Sequence, residues 1–312
     1  MSYIVETKFK IQTAQDVKLC GPYIAEAIPQ IDIKVNGVSI EPTIKETGSG
    51  TDRFYACYQF PNTGTYNVTF TFPYPDWVNF RVCVFLSEVT LPEGITEIQD
   101  YAFYHTGIES IVIPDGVTSI GVLAFSESNL KSIYIPASVT SIVEGSSFLY
   151  TPYLESITVD PENAIYDSRD NCNCIIKDST IIVGSKNYVI PASVNRIGKY
   201  AFYKHQFESF VIPYNITHID EYAFSECNNF NKLYIGSQLS HIGEYAFSNC
   251  YHLHTIYSSA VTPPAYSNSS FYGLGNSIPA RQGYLYVPLE AIPNYEAEWT
   301  YLTDTLGWII NE

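Results

Sequence analysis

Through the middle of the chain the hydrophobic positions recur with a single period. Aligned on an Ile/Leu-Pro pair, Leu91-Pro92, Ile113-Pro114 and Ile135-Pro136 follow one another at intervals of 22 residues. Ile190-Pro191 and Ile212-Pro213 are again 22 apart, and Ile235-Gly236 continues the series after 23. Eleven residues beyond each anchor stands a phenylalanine, usually preceded by alanine: Phe103, Phe125, Phe202, Phe224 and Phe247. Phe148 stands at twelve, because its unit carries one inserted residue. Each unit also holds a short Val-Thr-Ser-Ile-like string, as in Val117–Ile120 and Val139–Ile142.

The second half of each unit reads apolar-x-x-apolar-x-apolar, as in Leu130-Lys131-Ser132-Ile133-Tyr134-Ile135. On an extended strand alternate side chains face opposite ways, so Ile133 and Ile135 are expected inward and Tyr134 outward. A unit of this length, with two short strands and an Ala-Phe wedge, cannot bury its apolar face alone. Stacked neighbours can, as one continuous ladder of Ile, Val and Phe. The expected fold class is therefore mainly β, a solenoid lined by strands on one face.

Ile113-Pro114-Asp115-Gly116-Val117-Thr118-Ser119-Ile120-Gly121 with Ala124-Phe125 resembles the BspA-type leucine-rich repeat. Ala246-Phe247-Ser248-Asn249-Cys250 with Leu253 and Ile256 is similar to it too. The resemblance covers roughly residues 78–312. Phe80, Cys83, Leu86 and Val89 keep the same spacing of three, so a half-formed first repeat is expected near residue 78 as a cap. Residues 159–190 break the period. There, Asp167–Ile176 resembles the hairpin-like island of this family, and Ile175-Ile176 and Ile181-Ile182-Val183 read as two added strands. The terminal cap is expected over about 260–312, with a short helix at Glu290–Leu302 that carries Tyr295 and Trp299 at i, i+4 and covers the last open sheet edge.

Residues 1–77 lack the period. Ile31–Val35, Phe54–Phe60 and Tyr66–Phe72 alternate apolar and polar residues between turns at Asn36-Gly37, Gly48-Ser49-Gly50 and Asn62-Thr63-Gly64. A small antiparallel β domain, sandwich-like, is expected there, with a boundary near Pro73–Trp77.

Charge narrows the partners. The 312 residues carry 16 Lys+Arg against 32 Asp+Glu, a formal charge of −16. Nucleic acid and anionic membranes are held by clustered positive charge, so neither is an expected partner. The apolar stretch Val82–Leu86 is far short of the roughly 20 residues that span a bilayer, and no membrane insertion is expected. The first ten residues show no basic start followed by an apolar run, so no secretory signal is expected in the chain as written.

Candidate chemistry is sparse. Cys227 and Cys250 occupy one equivalent rung with Cys83, Thr106, Ser128, Thr151 and His205, which a buried residue facing the turn explains. Cys172-Asn173-Cys174 would face one way on a strand, but no second pair completes a four-ligand zinc site. His218 and His241, 23 apart, would share adjacent rungs at a solvated position. There is no Gly-x-Ser-x-Gly elbow, no His-Glu-x-x-His and no Gly-Lys-Ser/Thr loop. No catalytic residue, metal or cofactor is expected.

What remains is the outward row of the long strands, with Tyr134, Tyr234 and Tyr257, and beside it a row containing Lys131, Asn231 and His254. Tyrosine offers a large apolar body with a polar tip, suited to sugar stacking and to protein hot spots. The family resemblance implies surface proteins that bind host matrix components, other cells or glycans. The expectation is a non-enzymatic recognition protein at the cell surface or outside the cell, with a protein or glycan ligand. The alternative is a structural or receptor-binding part of a phage-like particle or appendage, docked by residues 1–77.

Overall fold

The computed structural model describes residues 2–13, 15–23, 27–46, 53–74, 78–274 and 282–312. The expected Gly48–Gly50 turn, the Pro75–Trp77 part of the boundary and residues 275–281 of the cap lie outside these. Strand outweighs helix, 34% to 9%, so the class is mainly β. The chain forms two compact units, Met1–Asp167 and Ser168–Glu312.

In the first unit the repeat strands Leu86–Thr90, Ser110–Val112, Ser132–Ile135 and Ser156–Val159 pair in parallel and in register, Val89 beside Ile111, Ile133 and Ile157. Ile133 and Ile135 are buried and Tyr134 is exposed, as the alternation predicts. A second ladder of two-residue strands, Glu97–Ile98, Ser119–Ile120 and Ser141–Ile142, holds the other side of each repeat. The expected half-repeat near residue 78 is present, with Phe80, Cys83, Leu86 and Val89 all buried.

A strand unforeseen from sequence covers its edge. Tyr3–Ile11 pairs antiparallel with Leu86–Thr90 on one side and with Gly64–Phe72 on the other. The sheet continues through Asp32–Val35 to Val38–Ser39, while Asp16–Tyr23, Phe54–Gln59 and Thr43–Glu46 form a separate antiparallel sheet. Val5, Phe9 and Ile11 point inward, together with Thr7, whose hydroxyl donates to the Val68 carbonyl at 2.7 Å. That bond removes the cost of burying the hydroxyl.

The second unit repeats the design. Ser209–Ile212, Lys232–Ile235, Thr255–Ser258, Tyr284–Tyr286 and Ile309–Asn311 pair in parallel. The island is the expected hairpin, Ile175–Lys177 against Thr180–Val183, and it continues in parallel into Arg196–Ile197, His218–Ile219 and His241–Ile242. Cys172 and Cys174 precede the strand, in a turn where Asn173 has φ 51°. Both are buried, and each thiol donates to the other residue's carbonyl.

The Ala-Phe wedges build a spine in each unit. Phe80, Phe103, Phe125 and Phe148 stack at 5.9, 5.4 and 5.3 Å. Phe202, Phe224, Phe247 and Phe271 stack at 5.3, 5.2 and 5.4 Å. Gly184 touches this second spine; a Cβ there would come within 2.0 Å of the Phe202 ring. Two residues past each Phe, the chain turns left-handed at Val82, His105, Glu127, Tyr150, Lys204, Glu226 and Asn249. Such a φ costs roughly 1–2 kcal/mol for a residue with a Cβ. Its return is an amide aimed at the next repeat: Val82 donates to Tyr104, Glu226 to Ser248 and Asn249 to Tyr272, at 2.7–2.8 Å.

Neighbouring turns are also stitched by asparagine. Asn215 Nδ2 donates to the carbonyls of Pro191 and Val194 at 3.2 and 2.5 Å, and Asn163 does the same to Pro136 and Val139. Asn215→Ala is expected to cost about 1–3 kcal/mol, because two half-buried carbonyls lose their donor. Urea denaturation of the variant checks this, and an unchanged midpoint would show that water replaces the amide.

At the C-terminal end, helix Ile292–Glu298 falls within the expected span, and Tyr295 and Trp299 are fully buried. The helix lies against Ile309–Asn311, the last strand of the sheet. Trp299 packs 5.6 Å from Phe271 and donates Nε1–H to the Pro264 carbonyl at 3.0 Å, so it closes the aromatic spine. The sheet edge is extended by Tyr284–Tyr286 and Ile309–Asn311.

Candidate binding face

Parallel, in-register strands lie about 4.8 Å apart, so identical residues at one register must stack. Val211, Tyr234, Tyr257, Tyr286 and Asn311 share one outward row of the second unit. Tyr234 and Tyr257 rings lie 4.9 Å apart at 7°, and Tyr257 and Tyr286 lie 4.8 Å apart at 15°. The three half-buried rings form one column. Tyr286 lies off the repeat period, 29 residues after Tyr257, although Val287-Pro288 repeats the apolar-Pro signature.

This geometry decides what the column can do. Inner ring faces are covered by their neighbours, so a sugar ring can stack only at the two ends. The column's edges and hydroxyls remain for contact, a ridge that offers both apolar area and hydrogen bonds.

The other expected residues have different surroundings. Asn231 serves the ladder: its carbonyl accepts from the amides of His254 and Thr255 at 3.2 and 3.3 Å. His254 Nδ1 lies 2.8 Å from Thr255 Oγ1. Tyr134 and Lys131 belong to the first unit. The Tyr134 hydroxyl donates to Asp160 Oδ2 at 2.5 Å, which raises the phenol's pKa and lowers the carboxyl's. Lys131 pairs with Glu109 at 2.9 Å, an exposed contact worth at most about 1 kcal/mol. The structure thus brings Tyr234 and Tyr257 together, with Asn231 and His254 on the flanking row, while Tyr134 and Lys131 stand on a separate unit.

A second tyrosine column lies in the turns before the Phe spine. Tyr200, Tyr222 and Tyr245 stack at 4.9 and 5.0 Å, each with φ 57°. The recurring Tyr-Ala-Phe triplet was its signal in the sequence.

The rung of Cys227 and Cys250 is structural, as expected. Thr106, Ser128 and Thr151 donate to the carbonyls of Phe103, Phe125 and Phe148, and the two thiols donate to Phe202 and Phe224. His218 is half-buried, not simply solvated, and its ring lies 5.8 Å from that of the exposed His241. Among the described residues no group of three or more His, Cys, Asp and Glu is placed to hold a metal ion. His252 and His254 both precede the strand Thr255–Ser258, so they do not share a strand face.

The order of Ile-Pro turn, short strand, Phe wedge and long strand is the order of a known repeat. Residues 78–177 and 182–276 match the family model described as BspA type leucine rich repeat region, in six copies. The chain belongs to the BspA-type leucine-rich repeat family. A solved leucine-rich repeat protein from Eubacterium ventriosum ATCC 27560 is similar at TM-score 0.53 and 20% identity, over 75% of this chain and 68% of that one. A leucine rich cell surface protein from Faecalibacterium prausnitzii A2-165 aligns at TM-score 0.49 and 25% identity, over 64% and 53%. The chain thus spans about two thirds of the first and about half of the second. A comparison with curated proteins gave no match. In this BspA-type chain, both tyrosine columns occupy positions that the repeat leaves outside its apolar core.

Proposed function

We propose that the chain is a non-enzymatic recognition protein of the cell surface or extracellular space, and that the column Tyr234–Tyr257–Tyr286 contacts a protein or glycan ligand. The repeat family supports this, since leucine-rich repeat proteins are generally non-enzymatic binding scaffolds. The single carrying observation is the column itself, three in-register, half-buried tyrosines stacked on the outward row. In this reading residues 78–312 are the solenoid and residues 1–77 a small sandwich-like β domain at its head. Among the described residues no helix is long and apolar enough to cross a membrane.

The experiment is a panel of immobilised glycans and matrix proteins, probed with the wild type and with Tyr234→Ala/Tyr257→Ala/Tyr286→Ala. Loss of buried hot-spot tyrosines typically costs at least about 2 kcal/mol, so binding is expected to weaken roughly thirtyfold or more. Undiminished binding by a folded triple variant refutes the assignment.

A further inference from the structure

A groove of about 910 Å³ in the second unit lies away from the tyrosine row just described, over the two-residue strands. Its floor carries a column of nitrogen bases, Arg196, His218 and His241, on successive parallel strands in one register. The imidazoles lie 5.8 Å apart. Thr217 Oγ1 lies 3.1 Å from the Asn195 carbonyl oxygen and 2.9 Å from His218 Nδ1.

The charged groups facing this column are few. Arg196 pairs with Asp220 at 2.7 Å, and Lys199 pairs with Glu221 at 2.6 Å. Glu244 lines the same wall, and Tyr266 and Ser267 close the end. In neutral solution two cations stand against three carboxylates, a net charge of −1. With both imidazoles protonated, four cations stand against three carboxylates, and the net charge is +1. The sign of the groove thus inverts when both imidazoles carry a proton.

We propose that this groove is an acid-gated site for an anionic polysaccharide, closed to it at neutral pH and open in mildly acidic solution. A sulfated or carboxylated sugar chain suits it, because cationic groups recur at rung spacing along the floor. The Tyr266 hydroxyl, which accepts from the Tyr301 amide at 3.1 Å, keeps its own proton to donate to a sugar oxygen. Burial, Arg196 and His241 all lower the His218 pKa, so its protonation follows acidification below the ordinary imidazole range. Asp220 shifts the other way: burial raises its pKa, which weakens its claim on Arg196 as the solution acidifies.

Calorimetry with a dextran sulfate oligosaccharide at about pH 7.5 and about pH 5, spanning the histidine range, tests this. Wild type is expected to bind at least ~10-fold tighter at the lower pH, and His218→Gln/His241→Gln to lose that gain. His241→Gln alone, at an exposed position, serves if the double variant does not fold, and it too is expected to lose most of the gain. An equal gain in the variants, or none in the wild type, overturns the proposal. Poly-L-glutamate bound as tightly as dextran sulfate overturns the carbohydrate assignment. The Tyr234/Tyr257/Tyr286 variant is expected to keep the gain, so failure here and failure of the proposed recognition face are separate results.

Discussion

Phe224→Ala is expected to lower stability by about 3–5 kcal/mol. The ring is fully buried, stacked between Phe202 at 5.3 Å and Phe247 at 5.2 Å, and met edge-on by Phe210 at 4.6 Å. Its backbone is fixed on both sides. Phe224 N–H donates to the Ala246 carbonyl at 2.8 Å, and the Phe224 carbonyl accepts from Cys250 Sγ. The rungs cannot close over the missing ring without breaking these bonds, so the substitution leaves a cavity and not a collapsed core. Because each repeat touches only its neighbours, the loss falls on two interfaces at once. Tyr222→Ala, in the half-buried outer column, is expected to cost distinctly less. Denaturant titration compares the two; a loss below about 1 kcal/mol at Phe224 would contradict a buried spine.

The second large effect is acid sensitivity set by His205. Its rung elsewhere holds Thr, Ser or Cys, each donating to a carbonyl, but here an imidazole is fully enclosed between Phe202 and Phe207. Burial lowers its pKa to about 4. In the unfolded chain the ring titrates near about 6.5. Above that value both states are neutral and the contribution to stability is complete. As the pH falls from about 6.5 towards 4 the unfolded chain takes up the proton first, and roughly 3 kcal/mol is lost. Denaturation at about pH 7.5 and pH 4.5 should therefore show a steep difference in the wild type and a shallower one in His205→Thr, which restores the rung's usual residue. Equal pH dependence in both proteins would show that His205 is solvated.

Much of this was legible because the repeat writes its core at fixed intervals. Ile-Pro, Ala-Phe and the alternation around Tyr134 dictate which side chains meet, and the spine, both ladders and the island hairpin follow. Elements that depend on a distant partner were harder to read. Tyr3–Ile11 alternates as a strand should, yet its place between Gly64–Phe72 and Leu86–Thr90 is a matter of tertiary pairing. Cys172 and Cys174 have strand spacing but sit just before the strand, in a segment where Asp170, Asn171 and Asn173 are all left-handed. At the candidate face, equivalent registers announced that Tyr234 and Tyr257 would stack. The sequence offered no comparable signal that stacking would hide their inner faces, nor that Tyr286 would complete the column across an irregular unit.

Hydroxyl-radical footprinting of the wild type, with and without a ligand identified from the glycan and matrix panel, tests the recognition face without any substitution. Mass spectrometry then reads every tyrosine at once. Protection concentrated at Tyr234, Tyr257 and Tyr286, with Tyr200, Tyr222 and Tyr245 unchanged, is the predicted result. Full reactivity of the first three in the bound protein would contradict it.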